Sequence, residues 1–209
     1  NIKLVLRYYF LTLEVNNSLR CLVKKLIIIS LILNILMALE TPKYKVIEKD
    51  SNIEIRLYEK FIVAKTNVQS NYESATSKGF RRIANYIFGG NEKNMDIPMT
   101  APVISTSPSI FPSSYDIMFF MPSEYSRESL PNPNLSTVKI EDVNFGKIAS
   151  IKFGGWATND NCIKYHKKLK EYLDGRSMNY SREFLVAQYN SPWAIPPFRK
   201  NEILVKINE

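Results

Sequence analysis

The sequence predicts an α+β fold in which one antiparallel sheet, either a barrel or a curved sheet, carries a helix on each side. Short segments with strand character recur along the 209 residues, whereas only two segments have helical periodicity. Both halves of the chain also share the order strand, helix, glycine and further strands. This shared order indicates a weak tandem duplication, although no repeated residue motif accompanies it.

Three strands are predicted at short spacing from residue 44 onwards. The first is YKVIEK, and the polar residues 50–52 after it predict a turn. In the second strand, residues 53–57 alternate between apolar and charged side chains, as expected for a strand with one buried face. The third strand is FIVAKTNV, at residues 61–68.

The first predicted helix begins near Ser70. Ser70 and Glu73 have the spacing of a capping box, in which each side chain satisfies a backbone N–H of the first turn. Small or apolar side chains then recur at steps of three and four residues along one stripe, which consists of Tyr72, Ala75, Thr76, Phe80, Ile83, Ala84 and Ile87. The other side is polar and cationic, with Lys78, Arg81, Arg82 and Asn85. Gly89 and Gly90 predict the end of the helix.

The rest of the chain predicts six more strands and a second helix. The strands are VIST, YDIMFFM, VKIEDV, KIASIKF, EFLVAQY and EILVKI, at residues 103–106, 115–121, 138–143, 147–153, 183–189 and 202–207. The second helix is predicted from Asn159 to Leu173, and Gly175 ends it. Many short strands with only two helices argue against a doubly wound parallel sheet.

Residues 1–38 form a leader in front of the domain predicted at 39–209. Two lysines precede an apolar run at residues 26–39, which has the length of a signal-peptide core and is shorter than the ~20 residues that span a bilayer. Alternatively, translation starts at Met37 and the leader is an over-extended reading frame. The protein is exported, to the periplasm or out of the cell, under the first interpretation and cytoplasmic under the second. Neither predicts a stable membrane span in the mature chain.

The net charge of +8 does not indicate a nucleic-acid partner. Half of it lies in residues 1–38, and the remainder contains no Lys/Arg run interleaved with aromatic residues. Of the two cysteines, Cys21 lies in the leader and Cys162 would remain unpaired after processing, so no disulfide framework is expected. The oligomeric state is not predicted.

The chain offers little of the chemistry that enzymes use. A single histidine, His166, excludes a multi-histidine metal centre, and no G-x-S-x-G elbow or G-K-S/T phosphate loop is present. His166 lies on the apolar stripe of the second helix, where it is either a partly packed, hydrogen-bonded helix residue or an axial ligand of haem iron. The first helix is more informative, because an apolar shelf edged by cations suits a flat macrocycle with two propionates.

Four short motifs give the chain a resemblance to a known family. They are the GG-N turn at residues 89–91, MTAPV at 99–103, FGG at 153–155 and NEI at 201–203. Together they resemble the SOUL family of haem-binding proteins, and the similarity runs in family order from Thr41 to Ile207.

The resemblance implies a distorted antiparallel β-barrel flanked by two helices, with haem or another tetrapyrrole bound non-covalently beside the first helix. By this analogy Phe80, Ile83, Ala84 and Ile87 line the shelf, Lys78 and Arg81 meet the propionates, and Trp193 borders the site. Because no histidine lies on this helix, the resemblance favours an exchangeable site and reversible haem carriage or buffering.

Two alternatives to haem carriage remain open. The same scaffold suits a module that binds a different small-molecule effector or a protein partner. A hydrolase would require a polar cluster, for which Glu73, Tyr86 and Tyr115 are the candidates.

Overall fold

The computed structural model describes residues 39–108, 114–190 and 194–208, together with Leu19 and Leu22. This part of the chain contains nine strands, two α-helices and one 3-10 turn: β1 (Tyr44–Asp50), β2 (Ile53–Tyr58), β3 (Phe61–Val68), α1 (Tyr72–Ile87), β4 (Val103–Thr106), β5 (Tyr115–Phe120), β6 (Val138–Val143), β7 (Lys147–Phe153), α2 (Asn159–Gly175), β8 (Tyr180–Gln188), the 3-10 turn (Pro196–Phe198) and β9 (Asn201–Ile207). The predicted α+β class is confirmed. The predicted leader at residues 1–38 lies outside the described residues except for Leu19 and Leu22, and it stays a prediction.

The nine strands form one antiparallel sheet in the order β1-β2-β7-β9-β8-β4-β5-β3-β6. Five strands separate β2 from β3 in this order, although only residues 59 and 60 connect them. In a flat sheet the two strands would lie about 29 Å apart, whereas this connection spans about 10 Å. The sheet therefore curls back on itself. It does not close into a barrel, because β1 and β6 remain as edges.

The topology supports the predicted internal duplication. Each of the strands β2 to β5 has a counterpart four strands later, in β6 to β9. If every strand is replaced by its counterpart, the order β2-β7-β9-β8-β4-β5-β3-β6 becomes its own reverse, as expected for two halves related by a twofold axis. The helices follow the same exchange, since α1 packs on β3, β5 and β6 and α2 packs on β7, β8 and β9. Strand β1 has no counterpart among the described strands and extends one edge of the sheet.

The curled sheet has an outer face, which the helices cover, and an inner face, on which its own side chains meet. The outer core joins Ile83 of α1 and Leu169 of α2 to the sheet. On the inner face the ring of Phe145 lies 5.8 Å from Tyr58 and 4.9 Å from Phe61, between centroids. These contacts bridge the two ends of the sheet, and apolar packing therefore takes the place of the missing hydrogen bonds.

Helix α1 begins one residue later than the sequence analysis predicts. Its N-cap is Asn71, whose side-chain oxygen accepts a hydrogen bond from the Ser74 N–H at 2.9 Å. The predicted capping box of Ser70 and Glu73 is therefore wrong. The N-cap lies one residue later, and its side chain satisfies the N–H of Ser74, whereas a capping Ser70 would accept from the N–H of Glu73. The predicted end is confirmed, and Gly89 has a φ of +90° just beyond it.

A network of buried charges lies on the inner face. The Arg56 side chain is fully buried and donates to both carboxylate oxygens of Glu202 at 2.7 Å, to Glu54 at 2.9 Å and to the Tyr58 hydroxyl at 3.2 Å. Lys152 donates to Glu54 at 2.6 Å. Because a buried charge is costly unless it is paired, each member of this network depends on the others.

Replacement of Gly79 by alanine tests how tightly α1 packs on β5. A Cβ at this position would lie 2.6–2.8 Å from side-chain atoms of Ile117. Gly79→Ala is therefore expected to lower the free energy of unfolding by about 1–3 kcal/mol, despite the better helix propensity of alanine. Gly175→Ala in α2 is the control, since nothing lies within 4 Å of the added Cβ. Urea denaturation measures both, and an equal effect of the two substitutions would contradict this packing.

The pH dependence of stability tests the buried network. Burial raises the pKa of Glu54, but hydrogen bonds from Lys152 and Arg56 outweigh this effect and lower the pKa to about 2. The folded pKa lies below the usual 4.5, so ionised Glu54 stabilises the fold above pH 4.5 and this stabilisation is lost as the pH falls toward 2. Its size is about 3 kcal/mol at pH 7 and about half of that at pH 3.

The variant Glu54→Gln isolates this contribution from the other carboxylates. Denaturant unfolding of both proteins at pH 7 and pH 3 is expected to show a difference in stability that shrinks by about half at the lower pH. A difference that stays constant with pH would show that Glu54 is not held in its ionised form.

Candidate functional site

A cavity of about 430 Å³ lies beside α1. We call it the α1 cavity. Its lining residues come from α1, β4, β5, the segment before α2, the end of β8 and the segment before β9: Tyr72, Glu73, Thr76, Ser77, Phe80, Arg81, Val103, Ser105, Ile117, Trp156, Ala157, Thr158, Gln188, Asn190 and Arg199. The cavity therefore lies where the two halves of the pseudo-duplicated fold meet.

The rotation of α1 about its own axis decides which predicted shelf residues reach this cavity. Ile83 and Ile87 are at most 1% exposed and pack into the outer core. Phe80 is half-buried, with its ring centroid 5.3 Å from that of Phe119, and it lines the cavity. Ala84 is half-buried and is not among the lining residues. Of these predicted shelf residues, Phe80 alone lines the cavity, whereas Ile83 and Ile87 pack α1 onto the sheet.

The cationic residues of α1 also differ in whether they line the cavity. Arg81 is exposed and lines the cavity, whereas Lys78 is exposed outside the lining. Arg82 donates to the Asn67 carbonyl at 2.9 Å and therefore ties the helix to β3. Of the predicted propionate partners, Arg81 alone is placed at the cavity.

The opposite wall contains a tryptophan and an arginine that the sequence analysis did not assign to the site. The ring of Trp156 is 50% exposed, and the Arg199 guanidinium lies 3.7 Å from its centroid. The Arg199 Nε also donates to the Ala194 carbonyl at 2.8 Å. Trp156 directly follows the FGG motif at 153–155, and this position next to a family motif is the sequence feature that could have identified it as a site residue. The predicted border residue Trp193 lies outside the described residues.

The side of the cavity next to β4 carries neutral polar groups. The hydroxyl of Tyr72 lies 3.3 Å from the Ser105 Oγ and 3.8 Å from the Cys162 Sγ. Burial raises the pKa of Tyr72 and raises the pKa of the Cys162 thiol to about 11. At neutral pH both groups are therefore protonated, and neither provides an anionic ligand.

His166 is not brought to the α1 cavity. It lies on α2, eight residues after Thr158, which corresponds to about 12 Å along the helix axis. Its ring stacks on Phe184 with 3.7 Å between centroids, and burial together with Lys170 lowers its pKa. The role of His166 as an iron ligand stays a prediction, and the observed environment is that of a half-buried helix residue packed on β8.

The candidate hydrolase residues do not form a cluster. Glu73 and Tyr86 lie thirteen residues apart on α1, which corresponds to about 20 Å. The buried Tyr86 hydroxyl donates to the Pro131 carbonyl at 3.0 Å. Tyr115 is also buried, with its ring next to Tyr72. This arrangement does not support hydrolysis at these residues.

Among the residues that the structure describes, no group of three or more His, Cys, Asp or Glu side chains is placed to hold a metal ion. In the same part of the chain, no helix is long and apolar enough to cross a membrane.

Solved structures share this fold at low sequence identity. The EcmrR C-terminal domain is 9% identical and aligns with a TM-score of 0.58 over 79% of this chain and 98% of that domain. A hydrolase from Listeria innocua is 10% identical, with a TM-score of 0.53 over 78% of this chain and 94% of its own. At such identities the similarity shows the fold alone.

Sequence relatives are closer. Heme-binding protein 2 of Homo sapiens is 34% identical over 184 residues, which cover 82% of this chain and 88% of the relative. Heme-binding protein 1 of Xenopus laevis is 30% identical over 166 residues, which cover 75% of this chain and 84% of the relative. The family model described as SOUL heme-binding protein matches residues 39–206. The resemblance noted in the sequence is thereby confirmed, and the chain belongs to the SOUL heme-binding protein family.

Proposed function

We propose that this chain binds haem non-covalently and reversibly in the α1 cavity and acts as a carrier or buffer of haem. The observation that carries the proposal is the combination of aromatic and aliphatic walls with arginines in a single open cavity. The relatives named heme-binding protein 1 and heme-binding protein 2 support it. The proposed role is not enzymatic.

The walls of the cavity suit the two faces of a flat macrocycle. Phe80 extends from α1 and Trp156 from the opposite segment, while Val103 and Ile117 contribute aliphatic surface from the sheet. Burial of the apolar macrocycle against these side chains supplies the main part of the affinity.

Charge complementarity orients the ligand. Arg81 and Arg199 line the cavity, and Glu73 is the one acidic residue among the described lining residues. Haem carries two propionates, and a guanidinium binds a carboxylate through charge-assisted hydrogen bonds. We therefore assign the propionates to the side of the cavity that holds Arg81.

The iron is proposed to receive no strong ligand from the lining. In the described part of the chain, the cavity is lined by no histidine, cysteine or methionine. When bound, haem would supply only its own redox and ligand chemistry, and the protein would supply burial and charge pairing. Binding without a metal-to-protein bond favours exchange, which is what a carrier or buffer requires. Other tetrapyrroles with the same shape and acid groups are expected to fit.

Charge reversal at Arg81 tests the assignment of the propionates. Arg81 is exposed, so Arg81→Glu is expected to leave the fold intact, which circular dichroism verifies. Loss of the guanidinium and repulsion by the new carboxylate are expected to weaken haemin binding by about tenfold, or about 1.4 kcal/mol. The measurement is a titration of the purified protein with haemin, followed through the Soret band.

Two matched variants control this titration. Lys168→Glu makes the same change of charge on the exposed surface of α2, and its haemin affinity is expected to stay within a factor of two of the unmodified protein. His166→Ala is expected to leave the Soret spectrum unchanged, because this ring does not reach the cavity. Equal losses for Arg81→Glu and Lys168→Glu would contradict the assigned site.

Metal-free protoporphyrin separates haem carriage from the alternative, a module for another effector. If burial and charge pairing hold the ligand, protoporphyrin IX should bind within about tenfold of haemin and compete with it. If neither tetrapyrrole binds saturably while other apolar ligands do, the effector module is the better description.

A further inference from the structure

A second and larger cavity lies on the inner face of the sheet, away from α1. Its volume is about 570 Å³, within the range of pockets that bind small organic ligands. It is lined by Thr41, Pro42, Tyr44, Lys152, Phe153, Gly154, Tyr189, Arg199, Lys200, Asn201 and Glu202. We call it the inner cavity. Among the described lining residues, Arg199 alone is shared with the α1 cavity.

The one carboxylate among the described lining residues is already neutralised. Both oxygens of Glu202 accept hydrogen bonds from Arg56 at 2.7 Å, and one of them also accepts from the Tyr189 hydroxyl at 2.9 Å. The Glu202 side chain is only 5% exposed. A cationic ligand would have to compete with a buried bidentate guanidinium for this carboxylate, and the inner cavity therefore offers it no free anion.

The two lysines of the lining are more accessible than Glu202. The Lys152 ammonium bonds to Glu54 at 2.6 Å while its side chain stays 45% exposed. Lys200 is exposed, and its ammonium forms no ion pair within 4 Å among the residues that the structure describes. The cavity consequently has an excess of positive charge, which favours an anionic ligand.

Tyrosine rings form apolar walls. The Tyr44 ring lies 4.4 Å from the guanidinium carbon of Arg56 and 4.9 Å from the ring centroid of Tyr58, which fixes its position. The Tyr189 ring is anchored through its hydroxyl to Glu202. Fixed aromatic rings offer stacking surfaces to a planar ligand at low entropic cost.

We propose that the inner cavity binds a small aromatic anion, of the carboxylate or sulfonate class. Its ring lies against Tyr44 and Tyr189, and its acid group faces Lys200. This site is distinct from the proposed haem site, and the inference does not rest on haem binding.

Calorimetric titration of the full chain with naphthalene-2-sulfonate tests the proposal, with N-methylquinolinium as a cation of similar size and shape. The sulfonate is expected to bind saturably at one site per chain, and the quinolinium at least tenfold more weakly. Lys200→Glu is expected to weaken sulfonate binding about tenfold, and so is Tyr44→Ala, which removes one stacking surface. Both side chains are exposed enough for the fold to tolerate these changes.

Two variants control for binding elsewhere. Lys168→Glu makes the same change of charge at a residue outside the lining, and Arg81→Glu alters the α1 cavity; both are expected to leave sulfonate binding within twofold. No saturable binding, tighter binding of the quinolinium, or an unchanged affinity of Lys200→Glu would each overturn the proposal. A loss of binding in Arg81→Glu would place the sulfonate in the α1 cavity and overturn it as well. Failure of haemin to bind would leave these results unaffected.

Discussion

Residues 59 and 60 are the whole connection between β2 and β3, two strands that five others separate in the sheet. A chain this short cannot cross a flat sheet, so the sheet must curl until its two ends approach each other. Curling creates an inner face that neither α1 nor α2 covers. The rings of Tyr58, Phe61 and Phe145 fill part of this face. The ion pair of Arg56 with Glu202 occupies another part, where removal of either partner would leave a buried charge.

The short connection between β2 and β3 also determines the arrangement of the outer face. A curled sheet presents its convex side to both helices, and the pseudo-duplication places α1 on one half and α2 on the other. Neither helix covers the boundary between the halves. The α1 cavity lies at this boundary, between Phe80 on α1 and Thr158 at the N-cap of α2. The proposed haem site is thus the uncovered groove between the two halves of the fold, and its apolar walls suit a flat apolar ligand.

The secondary structure was largely predictable, because the periodicity of apolar residues along the chain determines which segments form helices and strands. The strands, both helices and the apolar stripe of α1 follow from periodicity. The N-cap is Asn71 and not Ser70, since serine and asparagine both cap helices and sequence alone does not choose between two adjacent candidates. The site was less predictable. Close packing of Gly79 on Ile117 sets the rotation of α1, and this rotation buries Ile83 while it turns Phe80 to the cavity. The opposite wall joins Trp156 to Arg199, and sequence spacing does not encode this contact.

Paramagnetic line broadening by haemin locates the ligand directly, because ferric iron broadens the amide signals of nearby residues whatever interaction holds it. In a ¹⁵N-labelled sample titrated with haemin, our account predicts that the signals of Thr76, Phe80 and Thr158 broaden first, since these residues line the α1 cavity. Signals of Tyr44 and Glu202, in the inner cavity, should stay sharp at substoichiometric haemin. Broadening confined to the inner cavity, or spread evenly over the protein, would contradict the assignment of haem to the α1 cavity.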